Sequence, residues 1–115
     1  PITALTATNS MPATRVGHNL LSIGPNDLKP PDCAGITVTT LLTGSGTFSG
    51  TGASELVLGG SGADTITAGG GNDCILGGGG DDSIQGQLGT DVCIGGPGTD
   101  SFGLPVVGGC ETQID

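Results

Sequence analysis

From residue 59 to residue 103 the polar and hydrophobic positions recur every nine residues. The rows read GGSGADTIT, AGGGNDCIL, GGGGDDSIQ, GQLGTDVCI and GGPGTDSFG. Position six is always Asp: Asp64, Asp73, Asp82, Asp91 and Asp100. Position four is always Gly, and position eight is always apolar: Ile66, Ile75, Ile84, Cys93 and Phe102. A degenerate row, GTGASELVL, precedes them with Glu55 at six and Val57 at eight, and the row before that keeps Gly44 and Phe48. Glycine at positions one, two and four permits positive φ and lets backbone carbonyls converge. The apolar residue at eight fits a short strand that points it inward, with seven and nine outward. One row cannot bury its own apolar side, so the rows must stack. Residues 36–43, rich in β-branched side chains, predict one more strand that starts the stack.

This block resembles the calcium-binding nonapeptide repeats of the RTX family, G-G-x-G-x-D-x-U-x with U apolar, over residues 50–103. The resemblance implies an all-β fold, a parallel β-roll (β-solenoid). The first six residues of each row form a turn, the last three a strand, and eighteen residues make one coil. Turns then stack on like turns two rows apart. One edge carries Asp64, Asp82 and Asp100; the other carries Glu55, Asp73 and Asp91.

In the family each Ca²⁺ sits between two stacked turns, on backbone carbonyls and the position-six carboxylate of both. By that resemblance the first edge binds with Gly59, Gly60, Ser61, Gly62 and Asp64, with Gly77, Gly78, Gly79, Gly80 and Asp82, and with Gly95, Gly96, Pro97, Gly98 and Asp100. The second edge binds with Ala68, Gly69, Gly70, Gly71 and Asp73, and with Gly86, Gln87, Leu88, Gly89 and Asp91. Three ions follow: between 59–64 and 77–82, between 77–82 and 95–100, and between 68–73 and 86–91. A fourth position, between 50–55 and 68–73, is impaired, because Glu55 is longer than Asp and Thr51 and Ala53 replace glycines. Ala68 and Gln87 are smaller departures. Three ions bring the formal charge from −9 to −3. Without them like charges stack, so folding is expected to be coupled to binding.

Alternation of rows yields two unequal sheets. One is Thr65-Ile66-Thr67, Ser83-Ile84-Gln85 and Ser101-Phe102-Gly103, polar on its outer face. The other is Leu56-Val57-Leu58, Cys74-Ile75-Leu76 and Val92-Cys93-Ile94, apolar throughout. Its outer ladder calls for a cover. Residues from 1–32, with Val16, Leu20, Leu21 and Ile23, are the expected intramolecular cover, and a neighbouring subunit or parent domain is the other.

Four cysteines allow three pairings. No C-x-x-C occurs and there is a single His, which argues against zinc. An even count in a small, weak-cored chain favours disulfides and an oxidising compartment. Cys74 faces out from the apolar sheet and needs a partner outside the roll. Cys33 lies where a cover would end, so Cys33–Cys74 is expected, leaving Cys93–Cys110 to staple the last coil to the tail. Cys93 also suits a plain core position. The familiar RTX toxins and proteases of type I secretion mostly lack cysteines, which points to general secretion or an extracellular appendage.

Charge and composition narrow the function. Eleven acids face two bases, Arg15 and Lys29, and residues 30–115 hold no Lys or Arg. Such a surface repels nucleic acid and anionic membranes and suits hard cations. No apolar run approaches the ~18 residues of a membrane helix. Pro1 is followed by a Thr-rich stretch without a signal-peptide pattern, so a mature or trimmed form is expected. His18, Arg15 and Asp27 form no catalytic motif, and no enzyme is expected. The Thr ladder begun by Thr65 and Thr67 breaks at Ser83 and Gln85, against an ice-binding face.

The expected organisation is an extended arm or cover over 1–35, a calcium-binding β-roll over 36–103 and a cap over 104–115, with Leu104, Val106, Val107 and Ile114 closing the open end. The expected function is that of an extracellular calcium-binding structural protein that folds on Ca²⁺, with self-assembly into a homo-polymer through the arm and the apolar sheet. The alternative is a C-terminal folding, secretion or anchoring module of a larger secreted enzyme or adhesin.

Overall fold

A computed structural model of the chain describes residues 23–103 and 109–115. Val16, Leu20, Leu21, Arg15 and His18, and the tail residues Leu104, Val106 and Val107, lie outside them. Among the described residues nine strands follow one another: β1 (Thr40–Thr43), β2 (Thr47–Ser49), β3 (Glu55–Leu58), β4 (Thr65–Gly69), β5 (Cys74–Leu76), β6 (Ser83–Gln87), β7 (Val92–Ile94), β8 (Ser101–Phe102) and β9 (Thr112–Ile114). They form two parallel sheets, β9-β7-β5-β3-β1 and β2-β4-β6-β8. Successive strands alternate between the sheets, which makes a β-solenoid of the expected kind.

The register is that of the sequence rows. Val57 pairs with Ile75, Ile75 with Cys93, Phe48 with Ile66, and Ile66 with Ile84. Each step spans eighteen residues. Position eight therefore stacks on itself, and the core is two facing ladders: Val57, Ile75 and Cys93 against Ile66 and Ile84, all wholly buried. Leu42, Phe48 and Phe102 pack on its ends. Stacking like on like keeps such a narrow core free of voids, so one methyl lost from it costs stability.

The coil departs from the nonapeptide period at both ends. Leu41 pairs with Leu56, only fifteen residues on, because a Gly44-Ser45-Gly46 turn leads directly from β1 into β2. Thr112 pairs with Val92, twenty residues back. The tail thus adds a fifth strand to the apolar sheet, beyond the cap expected of it.

Of Val16, Leu20, Leu21 and Ile23, expected to cover that sheet, only Ile23 is described. It is 74% exposed. The contacts come from Cys33, Ile36 and Val38, which bury against Leu56, Cys74 and Val92. Residues 36–38 therefore lie over the sheet, and the strand starts only at Thr40. A disulfide from Cys33 to Cys74, with Cα atoms 5.9 Å apart, fixes the segment at the middle of the outer ladder. Helix α1 (Pro25–Leu28) lies upstream, its Gly24 N–H capped by Asp27 Oδ2 at 3.0 Å. Asn26 Oδ1 accepts the Val38 N–H (3.1 Å), and Lys29 Nζ donates to the Ile36 carbonyl. These bonds satisfy backbone groups that have no strand partner. The second column of the outer ladder, Leu58, Leu76 and Ile94, stays half-buried. A second disulfide joins Cys93 to Cys110 inside the core.

Two outcomes follow. Replacing Cys33 and Cys74 together by Ser releases a loop of 41 residues and lowers unfolding free energy by about 4 kcal/mol on the loop-entropy estimate. Ile75→Ala, at the centre of the stack, costs roughly 2–5 kcal/mol. Urea unfolding with calcium held constant measures both.

Candidate metal centre

The turns between strands bring the position-six acids together. Glu55, Asp64, Asp73, Asp82 and Asp91 are all at most 2% exposed. Burying a carboxylate is costly unless its oxygens find donors or a cation. Half of that need is met by the backbone. On one edge Asp64 Oδ1 accepts the Gly46 N–H (2.5 Å), Asp82 Oδ1 the Asp64 N–H (2.8 Å) and Asp100 Oδ1 the Asp82 N–H (2.9 Å). On the other, Asp73 Oδ1 accepts the Glu55 N–H (2.8 Å) and Asp91 Oδ1 the Asp73 N–H (2.9 Å). Each acid thus reaches back one coil to the same position of the turn before.

The second oxygens differ. Asp64 Oδ2 takes the Gly60 N–H at 2.7 Å. Both Glu55 oxygens accept the Thr51 N–H, at 3.0 and 3.1 Å, and the Thr51 hydroxyl donates to one of them. The extra methylene of Glu55 lets it fold onto its own turn, and Thr51, one of the departures from the glycine pattern, supplies the donors. In contrast, the Oδ2 atoms of Asp73, Asp82, Asp91 and Asp100 are buried without any partner. Buried polar atoms of this kind call for an explanation.

Glycine makes room beside these oxygens. At Gly77 a Cβ would collide with Asp82 Oδ2 and stand 2.9 Å from the Gly95 carbonyl oxygen, so a carboxylate of one turn and a carbonyl of the next border the same small space. Gly80 has φ +97°, and a Cβ there would lie 2.6 Å from the Gly62 carbonyl carbon. No side chain fits between stacked turns at these points. Gln87, a departure from glycine, still adopts φ 77°, so the coil imposes the left-handed conformation on it at a cost of about 1–2 kcal/mol.

The electrostatics reinforce the demand. Burial, first of all, pushes the Asp73 carboxyl up to about 7; the Asp91 and Glu55 charges add to the rise, against the Glu55 N–H bond. Burial likewise lifts Asp91 to about 6, opposed by the Asp73 N–H and aided by Glu111. Asp82 is raised by burial, with Asp100, Asp64 and Asp81 adding to it. Lys29 is the one Lys or Arg among the described residues, and its amine is on a carbonyl. Compensation must come from protons or from a cation in solution. Among the described residues no three His, Cys, Asp or Glu side chains converge. The cysteines are all in disulfides. A cation between the turns would meet at most two carboxylates and otherwise backbone oxygens, the donor set of a hard divalent ion and not of zinc.

Of the acids expected at the sites, Asp73 with Asp91, Asp82 with Asp100, and Asp64 with Asp82 are brought together by these bonds. Two participants went unread in the sequence. Gly46 stands at position six of the degenerate first row and caps Asp64 through its N–H. Glu111 accepts the Asp91 N–H through Oε2 at 2.7 Å. Its signal was an acid three residues before Ile114, masked by a spacing two residues too long.

The family model of the RTX calcium-binding nonapeptide repeat (4 copies) matches residues 49–84 and 75–102. No curated protein and no solved structure matches the chain. The stacked turns, the oxygen-only donor set and this match agree: residues 49–102 are similar in sequence and in fold to RTX calcium-binding nonapeptide repeats.

Proposed function

We propose that the protein is a non-enzymatic extracellular structural protein whose coils complete their folding on Ca²⁺. The observation that carries this is the set of four buried, partnerless carboxylate oxygens on a chain with almost no basic groups. Ions between 68–73 and 86–91 and between 77–82 and 95–100 each meet one of these oxygens, from Asp73 and Asp82. The position between 59–64 and 77–82 is weaker, since Asp64 Oδ2 must first give up the Gly60 N–H. The fourth, between 50–55 and 68–73, is closed by Thr51 and Glu55. Two disulfides suit an oxidising compartment, and extracellular calcium is abundant enough for weak sites. Self-assembly is part of the reading: the coil edges at β1 and β8 and the half-buried column of Leu58, Leu76 and Ile94 are surfaces on which a second copy would add.

Sedimentation velocity of the disulfide-intact protein in millimolar CaCl₂ and after chelation tests this. Calcium should convert an expanded, slow species into a compact one or into polymers. A compact monomer favours the accessory-module alternative over assembly, while identical sedimentation in both conditions overturns calcium-coupled folding. Asp82→Asn should weaken calcium binding by at least about tenfold, the loss typical of an outer-shell partner, as read by calorimetric titration.

The pH dependence has an unusual sign. Asp73 is near 7 in the fold against 3.8 unfolded, and Asp91 near 6. Groups raised on folding bind more protons in the folded state. Their stabilisation is therefore complete below about pH 4 and is lost as pH rises through 6 and 7. Metal-stripped protein should melt at a higher temperature at pH 5 than at pH 8. Calcium competes with the same protons, so its affinity should rise over that interval. A metal-stripped melting temperature that climbs from pH 5 to pH 8 would contradict the assignment.

A further inference from the structure

The tail lies outside the matched repeats, yet its backbone continues the coil. The Thr112 N–H donates to the Asp91 carbonyl at 3.1 Å, as the Val92 N–H does to Asp73 (2.9 Å) and the Ser101 N–H to Asp82 (2.7 Å). The Asp91 N–H donates to Glu111 Oε2 at 2.7 Å, as the Asp73 N–H does to Asp91 Oδ1. Glu111 therefore stands at position six of an additional turn. It arrives twenty residues after Asp91 instead of eighteen, and its longer side chain restores the contact.

The second oxygen of Asp91 supplies an independent observation. Asp91 is wholly buried, and its Oδ2 has no partner. In the turns of Asp64 and Asp82 this second oxygen lies on the side of the following coil. Asp82 Oδ2 and the Gly95 carbonyl border one space at Gly77; Asp64 Oδ2 and the Gly77 carbonyl border one at Gly59. At Gly86 the corresponding space is bordered by Asp91 Oδ2. The coil that follows on this edge is the one carrying Glu111. Asp100 shows the contrast: its Oδ2 is equally orphaned, but among the described residues no acid follows it on its edge.

We propose that Asp91 and Glu111 form a further calcium site, between turn 86–91 and the tail and beyond the nonapeptide repeats. The Cys93–Cys110 disulfide ends one residue before Glu111 and holds the tail in place for it. The site rests on the calcium-folding reading above. It gives the last coil a closing ion on one edge while the other edge ends at Asp100.

Calcium alone is the probe, titrated calorimetrically into metal-stripped, disulfide-intact protein. Glu111→Gln keeps an oxygen for the Asp91 N–H but removes the charge. The variant should bind one ion fewer than the parent, with the remaining sites unchanged in affinity. Equal numbers and affinities in the two proteins would overturn the site while leaving calcium-coupled folding intact; no binding by the parent would overturn the underlying reading instead. Amide exchange of the parent decides the matter independently of the variant's folding. Calcium should slow exchange in residues 109–115 together with 86–94. Protection confined to 86–94 would refute the tail site.

Discussion

Everything in this molecule leans on stacked, buried carboxylates that the chain itself only half satisfies. Each position-six Asp spends one oxygen on an N–H of the preceding coil, and that bond matches the coil-to-coil register. In Asp64 and Asp82 the other oxygen faces the space toward the next coil, and in Asp73, Asp82, Asp91 and Asp100 it is buried. Four such oxygens have no partner, and residues 30–115 contain no basic side chain to offer one. A neutral residue at position six would remove the penalty but also the ladder of backbone bonds. The acids therefore both follow the register and leave a charge that protons or a cation must compensate. Glycine follows from the same constraint, since only a turn without side chains at Gly77 and Gly80 leaves oxygen-lined space between coils.

The two sheets face different physical problems. The four-stranded sheet presents Thr, Ser and Gln to solvent and requires no cover. The inner strands of the five-stranded sheet, at Leu56–Leu58, Cys74–Leu76 and Val92–Ile94, are apolar on both faces, and the segment Cys33–Val38 covers one column of their outer ladder. Both disulfides are anchored on this sheet, at Cys74 in β5 and Cys93 in β7. Covalent restraint and hydrophobic cover are thus concentrated on one side of the coil.

The repeating part of the fold was legible because nine-residue identity is a direct image of stacking: Ile66 falls opposite Ile84, and Ile75 opposite Cys93, with no adjustment. Legibility failed where the coil absorbs a change of length. Leu41 reaches Leu56 through a shortened turn, and Glu111 reaches Asp91 through a lengthened one. A period search discards both, because backbone pairing tolerates insertions in turns that a fixed spacing does not. Within the described residues the cover was only partly legible: apolar content pointed to Ile23, which is exposed, whereas Ile36 and Val38, next to the Cys33 tether, pack on the sheet. At the site, the acids were readable but their unequal state was not. Whether a second oxygen is free depends on Gly60 and Thr51 donors, and only three-dimensional geometry reveals those.

This asymmetry divides the work of holding the coil together. The edge of Glu55, Asp73 and Asp91 begins at a turn closed by Thr51 and ends at a tail held by Cys93–Cys110. Its turns alternate with strands of both sheets, but its two ends are fixed without metal. The edge of Asp64, Asp82 and Asp100 has the Gly46 and Gly60 N–H groups at its start and nothing at its end among the described residues. Cross-links act on the unfolded ensemble, whereas ions act on the charge repulsion of the folded state, so neither replaces the other. On the first edge, a cation bound as proposed would strengthen a frame that is already bounded. On the second, the described residues offer the orphaned oxygens of Asp82 and Asp100 no partner, so under the proposed reading the last coil there depends most on calcium in solution.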